Sequence, residues 1–255
     1  VLSGVTTFDD SKTFFRPSLD MLHDPFLMKG MDKAVDRIVK AVANKEKVLI
    51  FGDYDVDGTT SVALVYSFFK KYIPEIRYYI PDRYTEGYGI SFKSIDYAAE
   101  HNYSLVIALD CGIKANDKID YANAKHIDFI ICDHHLPGDE IPKALAVLDP
   151  KQNDCPYPYK ELAGCGIGFK LAQAFCIQNG IDATEVYQYL DLVVTSIAAD
   201  IVPITGENRV LAHYGLKQLN ADPLPGCKVC RALNKQDREL DITTLVFTIA
   251  PRINA

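Results

Sequence analysis

Three carboxylates at alternate positions are the residues of this chain best suited to chemistry. Asp53, Asp55 and Asp57 directly follow a short apolar run at residues 48–51, and Gly58 comes next. Three acidic side chains so close together repel one another and cannot form a core, so a bound cation is the natural means of holding them. Hard divalent ions prefer carboxylate oxygens as ligands. The spacing therefore predicts a divalent-metal site.

Two other structures would produce a similar acidic run. One is a polar turn in which Thr59 or Thr60 caps the helix predicted over residues 62–69. We disfavour it because open α/β sheets bind ligands at the carboxyl ends of their strands. The other is a calcium loop of the EF-hand type, which needs a preceding helix and a glutamate at its twelfth position. That position is Leu64, and an apolar strand precedes the loop, so the EF-hand is excluded.

The elements around this stretch alternate between strands and helices. Apolar periodicity predicts further strands at 76–80, 105–109, 129–132 and 144–148, and helices at 31–43, 91–100 and 115–124. This alternation predicts an α/β fold with a doubly wound, mostly parallel sheet. After a proline-containing loop at 150–158, periodicity predicts only helices, at 166–178, 184–199, 209–219 and 243–250.

Acidic residues end most of the predicted strands. Asp110, Asp133 and Asp149 each follow a strand directly, as Asp53 does. Because the carboxyl ends of parallel strands meet at one edge of a sheet, these residues are expected to lie together at the edge where ligands bind. Four such residues at one edge are hard to explain as ordinary turn residues.

Three more residues could complete a metal site. His134 and His135 follow Asp133, and neutral imidazole is a common metal ligand whose tautomer a carboxylate can fix. Asp200 ends an apolar helix, where the helix dipole disfavours an acid, and this placement suggests a nearby positive charge. Mostly oxygen ligands with one histidine suit Mn²⁺ or Mg²⁺. So many ligands predict two cations about 4 Å apart, sharing a carboxylate.

Composition limits the classes of protein to which the chain can belong. Its 255 residues, 48% of them hydrophobic, suffice for one large domain or one plus part of a second. A net charge of −7 argues against a broad basic surface for nucleic acid. No apolar run reaches membrane-spanning length and no secretory signal occurs, so we expect no membrane association. Seven cysteines, an odd number, indicate reduced thiols in a cytoplasm.

Three other patterns carry weaker signals. Cys227 and Cys230 have the spacing of half a zinc site, but no second close pair exists, so we interpret them as structural. The glycines of residues 164–168 only weakly match a dinucleotide fingerprint, and we interpret them as a turn packed near the site. No phosphate loop of the Gly-Lys-Ser/Thr type occurs, so nucleotide hydrolysis of that kind is not supported.

The motifs, taken in order, resemble those of the DHH phosphoesterase superfamily. They are Asp53-Tyr54-Asp55-Val56-Asp57-Gly58, Asp110-Cys111-Gly112 and Asp133-His134-His135. Within that superfamily the chain is similar over nearly its whole length to single-strand-specific DNA exonucleases. The stretches that carry this narrower resemblance are residues 15–20, 23–26, 81–89, 162–166, 199–203 and 250–254.

The resemblance implies a role for each residue of the predicted site. Asp55 would hold one metal ion and Asp57 the other, with Asp110 bridging both. His134 and Asp200 would complete the second ion's ligands. Catalysis would depend on Asp110 and His134, together with His135, which would face the scissile phosphate.

Phe51 and Arg83 are the two positions of the implied site whose roles are least settled by the motifs. Many superfamily members carry a histidine at the position of Phe51, so Asp53 or a water would take its place on the first metal. Arg83 is a candidate phosphate clamp because its guanidinium fork suits phosphate oxygens. The alternative for Arg83 is an ion pair with a neighbouring carboxylate, either Asp82 or Glu86.

The resemblance also implies a function and a domain organisation. The function is 5′ to 3′ exonuclease activity on single-stranded DNA, releasing 5′-mononucleotides in DNA repair and recombination. Residues 1–45 would form an N-terminal cap and first helix, 46–200 the DHH catalytic domain, and 201–255 a helical segment. That segment would lead to a second catalytic domain and an OB-fold that grips single strands, both outside these residues. The basic surface would then lie mainly elsewhere.

Two other functions stay open. One is a related phosphodiesterase for short oligonucleotides or cyclic dinucleotides. The other is a scaffold that binds DNA without cutting it. A scaffold should have lost metal ligands, whereas only the position of Phe51 departs from the pattern.

Overall fold

Five short apolar runs form one parallel sheet in the computed structural model, which describes residues 7–233 and 239–254. The strands are β1 (Val48–Gly52), β2 (Ile76–Tyr79), β3 (Leu105–Leu109), β4 (Asp128–Cys132) and β5 (Ala146–Leu148). Their order is β2-β1-β3-β4-β5, and every neighbouring pair is parallel. The predicted α/β fold with a doubly wound sheet is confirmed, and the sheet is parallel throughout.

Helices cover both faces of the sheet and continue beyond it. The helices before and between the strands are α1 (Phe8–Phe15), α2 (Met31–Asn44), α3 (Val56–Phe69), α4 (Phe92–Glu100) and α5 (Asn116–Ala124). After the sheet come α6 (Gly164–Asn179), α7 (Thr184–Tyr187), α8 (Leu190–Ala199), α9 (Gly206–Ala221) and α10 (Pro225–Leu233). The last described segment contains α11 (Ile242–Thr244), a π-helical turn (Leu245–Ile249) and α12 (Ala250–Ile253). None of the helices described here is both long and apolar enough to cross a membrane.

Alternate side chains of the strands enter two separate cores. Val48 and Ile50 of β1 pack with α2, α3, α6 and α8 on one face, and Leu49 and Phe51 pack with α4 and α5 on the other. Burial on both faces explains why the strands are continuously apolar rather than alternating with polar residues. The larger core extends into α9 and the π-helical turn, so helices beyond residue 200 share a core with the sheet.

The structure corrects the predicted start of α3. The periodicity placed the helix at residues 62–69, but it begins at Val56 because Asp55 caps it and accepts a hydrogen bond from the Gly58 amide at 2.8 Å. The threonine caps considered above were wrong: the Thr59 and Thr60 hydroxyls instead bond back to carbonyls of the preceding turn. Asp57 therefore lies on a helix rather than in a loop.

The other predicted helices differ less from the observed ones than α3 does. The helix predicted over 184–199 is two helices, α7 and α8, and the segment 243–250 contains the π-helical turn. Helices α1 and α10 were not predicted. Of the predicted regions, residues 1–6, 234–238 and 255 lie outside the described residues.

Candidate metal centre at the carboxyl edge of the sheet

Strand register places four aspartates in a row along the carboxyl edge of the sheet. Gly52, Leu109, Cys132 and Leu148 are successive register partners across β1, β3, β4 and β5. The next residue of each strand is an aspartate, and these are Asp53, Asp110, Asp133 and Asp149. All four are buried, so the row lies at the base of the edge rather than in solvent.

Asp57 lies where the N-termini of α3 and α6 meet. Its two carboxylate oxygens accept hydrogen bonds from the backbone amides of Gly164 at 2.7 Å and Cys165 at 2.8 Å. These amides belong to the first turn of α6 and have no partner within their own helix. The Ser196 hydroxyl, from α8, donates a third bond at 2.8 Å. The positive ends of two helices and a hydroxyl thus hold one carboxylate in place.

His134 is surrounded by carboxylates from three different elements. Its Nε2 atom lies 3.1 Å from Asp110 Oδ1, 3.6 Å from Asp200 Oδ2 and 3.7 Å from Asp57 Oδ2. The imidazole is buried, and neither of its ring nitrogens has a hydrogen-bond partner. The ligand atoms of Asp57, His134 and Asp200 lie within 4.8 Å of one another, as do those of Asp110, His134 and His135.

Negative charge accumulates at this point without cationic side chains to balance it. Within the described residues, no lysine or arginine forms an ion pair with these carboxylates. Burial, followed by repulsion from Asp57 and Asp55, raises the pKa of Asp110 well above its usual range. Burial and Asp57 also raise the pKa of Asp200. Raised carboxyl pKa values next to a buried imidazole mark a site that favours added positive charge.

Two residues of the site have strained backbone conformations. Asp110 has φ of 59° and Ile201, which follows Asp200, has φ of 56°. The left-handed region is uncommon for residues other than glycine and is a clear outlier for a β-branched side chain. Such strain often accompanies functional sites, and here it occurs at or beside two predicted ligands.

Asp133 orients His135 instead of facing the acidic cluster. Its Oδ1 accepts hydrogen bonds from the amides of His134 and His135 and lies 2.7 Å from His135 Nδ1, while its Oδ2 accepts from the Ile113 amide. The bond from Asp133 raises the pKa of His135. With Nδ1 engaged, Nε2 of His135 lies 3.4 Å from the Tyr88 hydroxyl, and the ring is about half exposed.

Asp53 and Asp55 lie close to the acidic cluster, and one carboxylate oxygen of each accepts a hydrogen bond from a backbone amide. Asp53 Oδ1 accepts from the Tyr54 amide, and its buried Oδ2 has no partner. Burial raises the pKa of Asp53 to about 6, with Asp55 adding repulsion. Asp55 caps α3 and, with Asp57 and Asp200, lines a cleft of about 360 Å³ that extends to Asn254.

Residues 47–197 match the N-terminal domain of the DHH family. The chain belongs to the DHH family. It is similar to the single-stranded-DNA-specific exonuclease RecJ of Bacillus subtilis (strain 168), with 40% identity over 256 residues, which is 100% of this chain and 32% of that protein. The chain thus spans about a third of this curated relative's length.

Solved structures give the same result for the DHH domain. An exonuclease RecJ bound to manganese superposes with a TM-score of 0.82 and 28% identity, over 93% of this chain and 58% of that one. RecJ from Thermus thermophilus in complex with Mn²⁺ gives a TM-score of 0.80 and 25% identity, over 94% and 34%. The resemblance to the DHH superfamily, and within it to RecJ, is confirmed.

Phe51, the position that departs from the DHH pattern, lies in the apolar core. Its ring stacks on Tyr79 with centroids 5.8 Å apart and is 1% exposed. The side chain faces α4 and α5 and contributes nothing to the acidic cluster. Asp53, two residues further along the chain, is the nearest acidic residue in sequence, and its unpartnered buried oxygen makes it the candidate replacement.

Arg83 lies at the edge of the DHH site, bound to neither of its predicted partners. Its guanidinium donates to Asn254 Oδ1 at 2.8 Å and lies 4.6 Å from the ring centroid of Tyr54. Asp82 instead accepts bonds from backbone amides in its own loop, and Glu86 accepts from Tyr79. Within the described chain the ion-pair alternative is not observed, and Arg83 remains available to a ligand.

Several residues that support the DHH site were not predicted from sequence. Ser196 precedes Asp200 by four residues on α8, so helical spacing could have placed both on one face. The glycines at 164–168 were interpreted as a turn near the site, but they form the first turn of α6. Tyr88 lies within the stretch 81–89 that carries the family resemblance, but no role was predicted for it, and its hydroxyl donates to the Asp110 carbonyl at 3.1 Å.

The Cys227 and Cys230 pair lies away from the DHH site, on α10. Cys227 is buried in the larger core beside Asp191. Burial raises the pKa of the Cys227 thiol to about 12, so it is not a reactive thiolate. Our interpretation of the pair as structural stays a prediction.

Proposed function

We propose that this chain is the catalytic DHH part of a metal-dependent 5′ to 3′ exonuclease that releases 5′-mononucleotides from single-stranded DNA in repair and recombination. The observation that carries the proposal is the buried Nε2 of His134 within 3.1 to 3.7 Å of three carboxylates. The similarity to RecJ proteins named as single-stranded-DNA-specific exonucleases supports the choice of substrate.

The donor atoms of the site fit divalent cations. Buried atoms without a hydrogen-bond partner include Asp53 Oδ2, Asp110 Oδ1 and both ring nitrogens of His134. Each such atom costs about 1–3 kcal/mol if it stays unsatisfied. Carboxylate oxygens with one imidazole suit Mn²⁺ or Mg²⁺, and related RecJ structures hold these ions. Bound ions would stabilise the charge that develops on a phosphoryl group.

We assign the ligands to two ions according to which side chains lie close together. Asp57, His134 and Asp200 would hold one ion, and Asp53 and Asp55 the other. Asp110, between the two sets, would contact both. Support for the first set is its mutual proximity, within 4.8 Å for those three residues. Support for the second is the raised pKa of Asp53 beside Asp55.

Two cationic side chains would act on the substrate. His135, held through Nδ1 by Asp133, would use Nε2 to donate a proton or hydrogen bond to a phosphate oxygen at the centre. Arg83 would hold a second phosphate, because stacking on Tyr54 and the bond to Asn254 already fix its guanidinium plane.

The rest of the activity would depend on further parts of a longer chain. The curated relative is about three times the length of this chain. We propose that the additional parts include a second catalytic domain and an OB-fold, which would supply the basic surface that a chain with net charge −7 lacks. The organisation into residues 1–45, 46–200 and 201–255, and the cytoplasmic location, stay predictions.

The test uses the full-length protein. We expect calorimetry to show two Mn²⁺ ions per molecule, and 5′-phosphorylated single strands to be degraded faster than duplexes, dinucleotides or cyclic dinucleotides. Preferential cleavage of dinucleotides or cyclic dinucleotides would favour the alternative phosphodiesterase. Tight binding to single strands without Mn²⁺-dependent hydrolysis would favour the scaffold.

A further inference from the structure

A second pocket opens beside His135, on the face of the sheet opposite the cleft that Asp200 lines. This His135 pocket has a volume of about 340 Å³ and lies among the loops that precede α4 and α5. Its apolar lining is formed by Ile90, Cys111 and Ile113, all buried. Pockets of this size, with apolar walls and a few polar groups, commonly hold small-molecule-sized ligands.

The His135 pocket and the metal centre share a wall. His135 and Asp133 line the pocket, and His135 lies within 4.8 Å of ligand atoms of Asp110 and His134. Tyr88, also in the lining, donates its hydroxyl to the Asp110 carbonyl. A DNA strand whose scissile phosphate lies at the metal centre can therefore place the adjoining nucleoside in this pocket, because the His135 side chain borders both.

The charges at the pocket entrance favour a polyanion. Lys114 is exposed there and forms no ion pair within the described part of the chain. Lys118 also lines the pocket, but it pairs with Asp117 at 2.8 Å and lies over the ring of Phe92. An unpaired ammonium near an otherwise acidic centre is well placed to hold a phosphate.

Tyr88 provides an aromatic ring on which a nucleic-acid base can stack. Tyr88 is 53% exposed and lines the pocket. Stacking of a base on an aromatic ring contributes about 1–3 kcal/mol and tolerates any sequence. This property suits an enzyme that must accept every base in turn.

We propose that the His135 pocket binds one nucleoside of the strand adjoining the scissile phosphate, with its base against Tyr88 and the neighbouring phosphate on Lys114. This inference rests on the proposed exonuclease function and extends it with a substrate subsite. Lys114 contributes to binding of the substrate and not to binding of the metal ions, because it is not among the ligands of the metal centre.

The kinetic test compares Lys114→Gln with Lys114→Arg in the full-length protein. For a short single-stranded oligonucleotide we expect Lys114→Gln to raise KM by about two- to fivefold. The salt dependence, as the slope of log(1/KM) against log[salt], should weaken by about 0.7, the value for one phosphate contact on a single strand. Lys114→Arg should restore both. KM for bis(p-nitrophenyl) phosphate, which has no neighbouring phosphate, should change less.

The matched control is Lys143→Gln, which removes an exposed lysine before the amino end of β5, at the opposite edge of the sheet. It should leave KM and the salt slope unchanged. An equal change in both glutamine variants, or no change in Lys114→Gln, would overturn the subsite. Absence of single-strand hydrolysis by the unmodified protein would instead overturn the proposed function, so the two failures are distinguishable.

A direct test locates the base. Single strands carrying 5-iodouracil at the first, second or third nucleotide would be photo-crosslinked to the full-length protein, with Ca²⁺ replacing Mn²⁺ to prevent cleavage. We expect one of these positions to crosslink to the peptide that contains Tyr88, and Tyr88→Leu to remove that crosslink. Crosslinks found only in other peptides would contradict the proposal.

Discussion

Helix α6 contacts two clusters of buried charged side chains, and the clusters balance their charges differently. Near its middle, Lys170 forms an ion pair with Glu207 of α9 at 2.6 Å, and both side chains are at most 1% exposed. At its N-terminus, the Gly164 and Cys165 amides bind Asp57 of the metal centre. Both clusters place charge in the interior, where an unpaired charge is costly.

In the Lys170 cluster, the buried charged groups are paired with other groups of the protein. Glu207 also accepts from the Tyr157 hydroxyl at 2.7 Å and the His23 amide at 2.9 Å, while Lys170 donates to the His23 carbonyl and to Gln173. One positive and one negative side chain face each other, and the neighbouring polar groups have partners. This cluster ties the N-terminal segment and α9 to the sheet domain without any ligand.

The candidate metal centre has the opposite composition. Asp57, Asp110 and Asp200 surround the single imidazole of His134, and buried atoms of Asp110 and His134 have no partner. Buried charge is therefore balanced within the protein in the Lys170 cluster, where donors match acceptors, whereas the candidate metal centre has an excess of acceptors that a cation can balance. Removal of metal should therefore affect one cluster and leave the other intact.

The largest expected effect is that of Asp110→Asn. Loss of the carboxylate shared by the two ligand sets should reduce hydrolysis by at least about a thousandfold, because the clamp on the phosphoryl group contributes several kcal/mol. The metal-free variant should melt at a higher temperature than the unmodified protein, because a buried carboxylate is removed from a repulsive cluster. A hydrolysis assay with Mn²⁺ measures the first effect, and thermal melting without Mn²⁺ measures the second.

The control for Asp110→Asn is Asp139→Asn, which changes an exposed aspartate in the loop after His135. It should alter neither the activity nor the melting temperature. Near-normal hydrolysis by Asp110→Asn with Mn²⁺ would show that the two-ion assignment is wrong.

Lys170→Met should cost about 3 kcal/mol of unfolding free energy, because it leaves Glu207 buried without a cation. Adding Glu207→Gln should recover part of this loss. Urea unfolding followed by circular dichroism measures these changes. The stabilisation by Mn²⁺ should be equal in Lys170→Met and the unmodified protein, because the clusters have separate partners. A large fall in that stabilisation would show that the clusters are coupled through α6.

Gly164→Ala should weaken Mn²⁺ binding by about 10- to 100-fold, an effect typical of losing support around a metal ligand. A Cβ atom at Gly164 would lie 2.8 Å from Asp110 Oδ1 and 2.9 Å from Asp110 Cβ, so the ligand must move. Gly226→Ala is the matched control, because it also lies in the first turn of a helix and its Cβ would meet no atom within 4 Å. Equal Mn²⁺ affinities in the two variants would contradict this account.

The smallest expected effect is a pH dependence at Asp149. Burial raises the pKa of Asp149 to about 7, and its Oδ2 has no partner. The folded state therefore binds a proton more tightly than the unfolded state, where the pKa is about 3.9. Between pH 4 and about 7, this group makes the folded protein less stable as the pH rises.

Asp149→Asn should consequently stabilise the metal-free protein at pH 8 by on the order of 1 kcal/mol relative to its effect at pH 5. Thermal melting in chelator at both pH values measures the difference, and Asp139→Asn again serves as the control. The same shift at pH 5 and pH 8 would mean that Asp149 does not titrate as proposed.

Local sequence patterns were enough to predict the sheet and the acidic row at its edge. Residues 48–51 and 105–109 are continuously apolar, which is typical of strands buried on both faces. Asp53 follows the first run after Gly52, and Asp110 directly follows the second, so the position of each acid was fixed by its own strand. The strand pattern, the placement of Asp200 at a helix end and the DHH motifs all depend on neighbours within a few residues, which is the range over which local sequence signals operate.

The contacts that hold the acidic row, and the direction in which it faces, could not be predicted because they join distant segments of the chain. Asp57 receives amides from residues 107 and 108 positions away and a hydroxyl 139 positions away, and no local pattern encodes such contacts. The start of α3 at Val56 is a local feature that the periodicity missed, because the Asp55 cap binds the Gly58 amide only three positions away. The orientation of Asp133, in contrast, also depends on the Ile113 amide, 20 positions away. Short sequence motifs indicate which side chains are candidate metal ligands. The packing of α3, α6 and α8 on one sheet determines where those side chains lie. Hydrogen bonds and repulsions between distant segments exist only once those segments pack together.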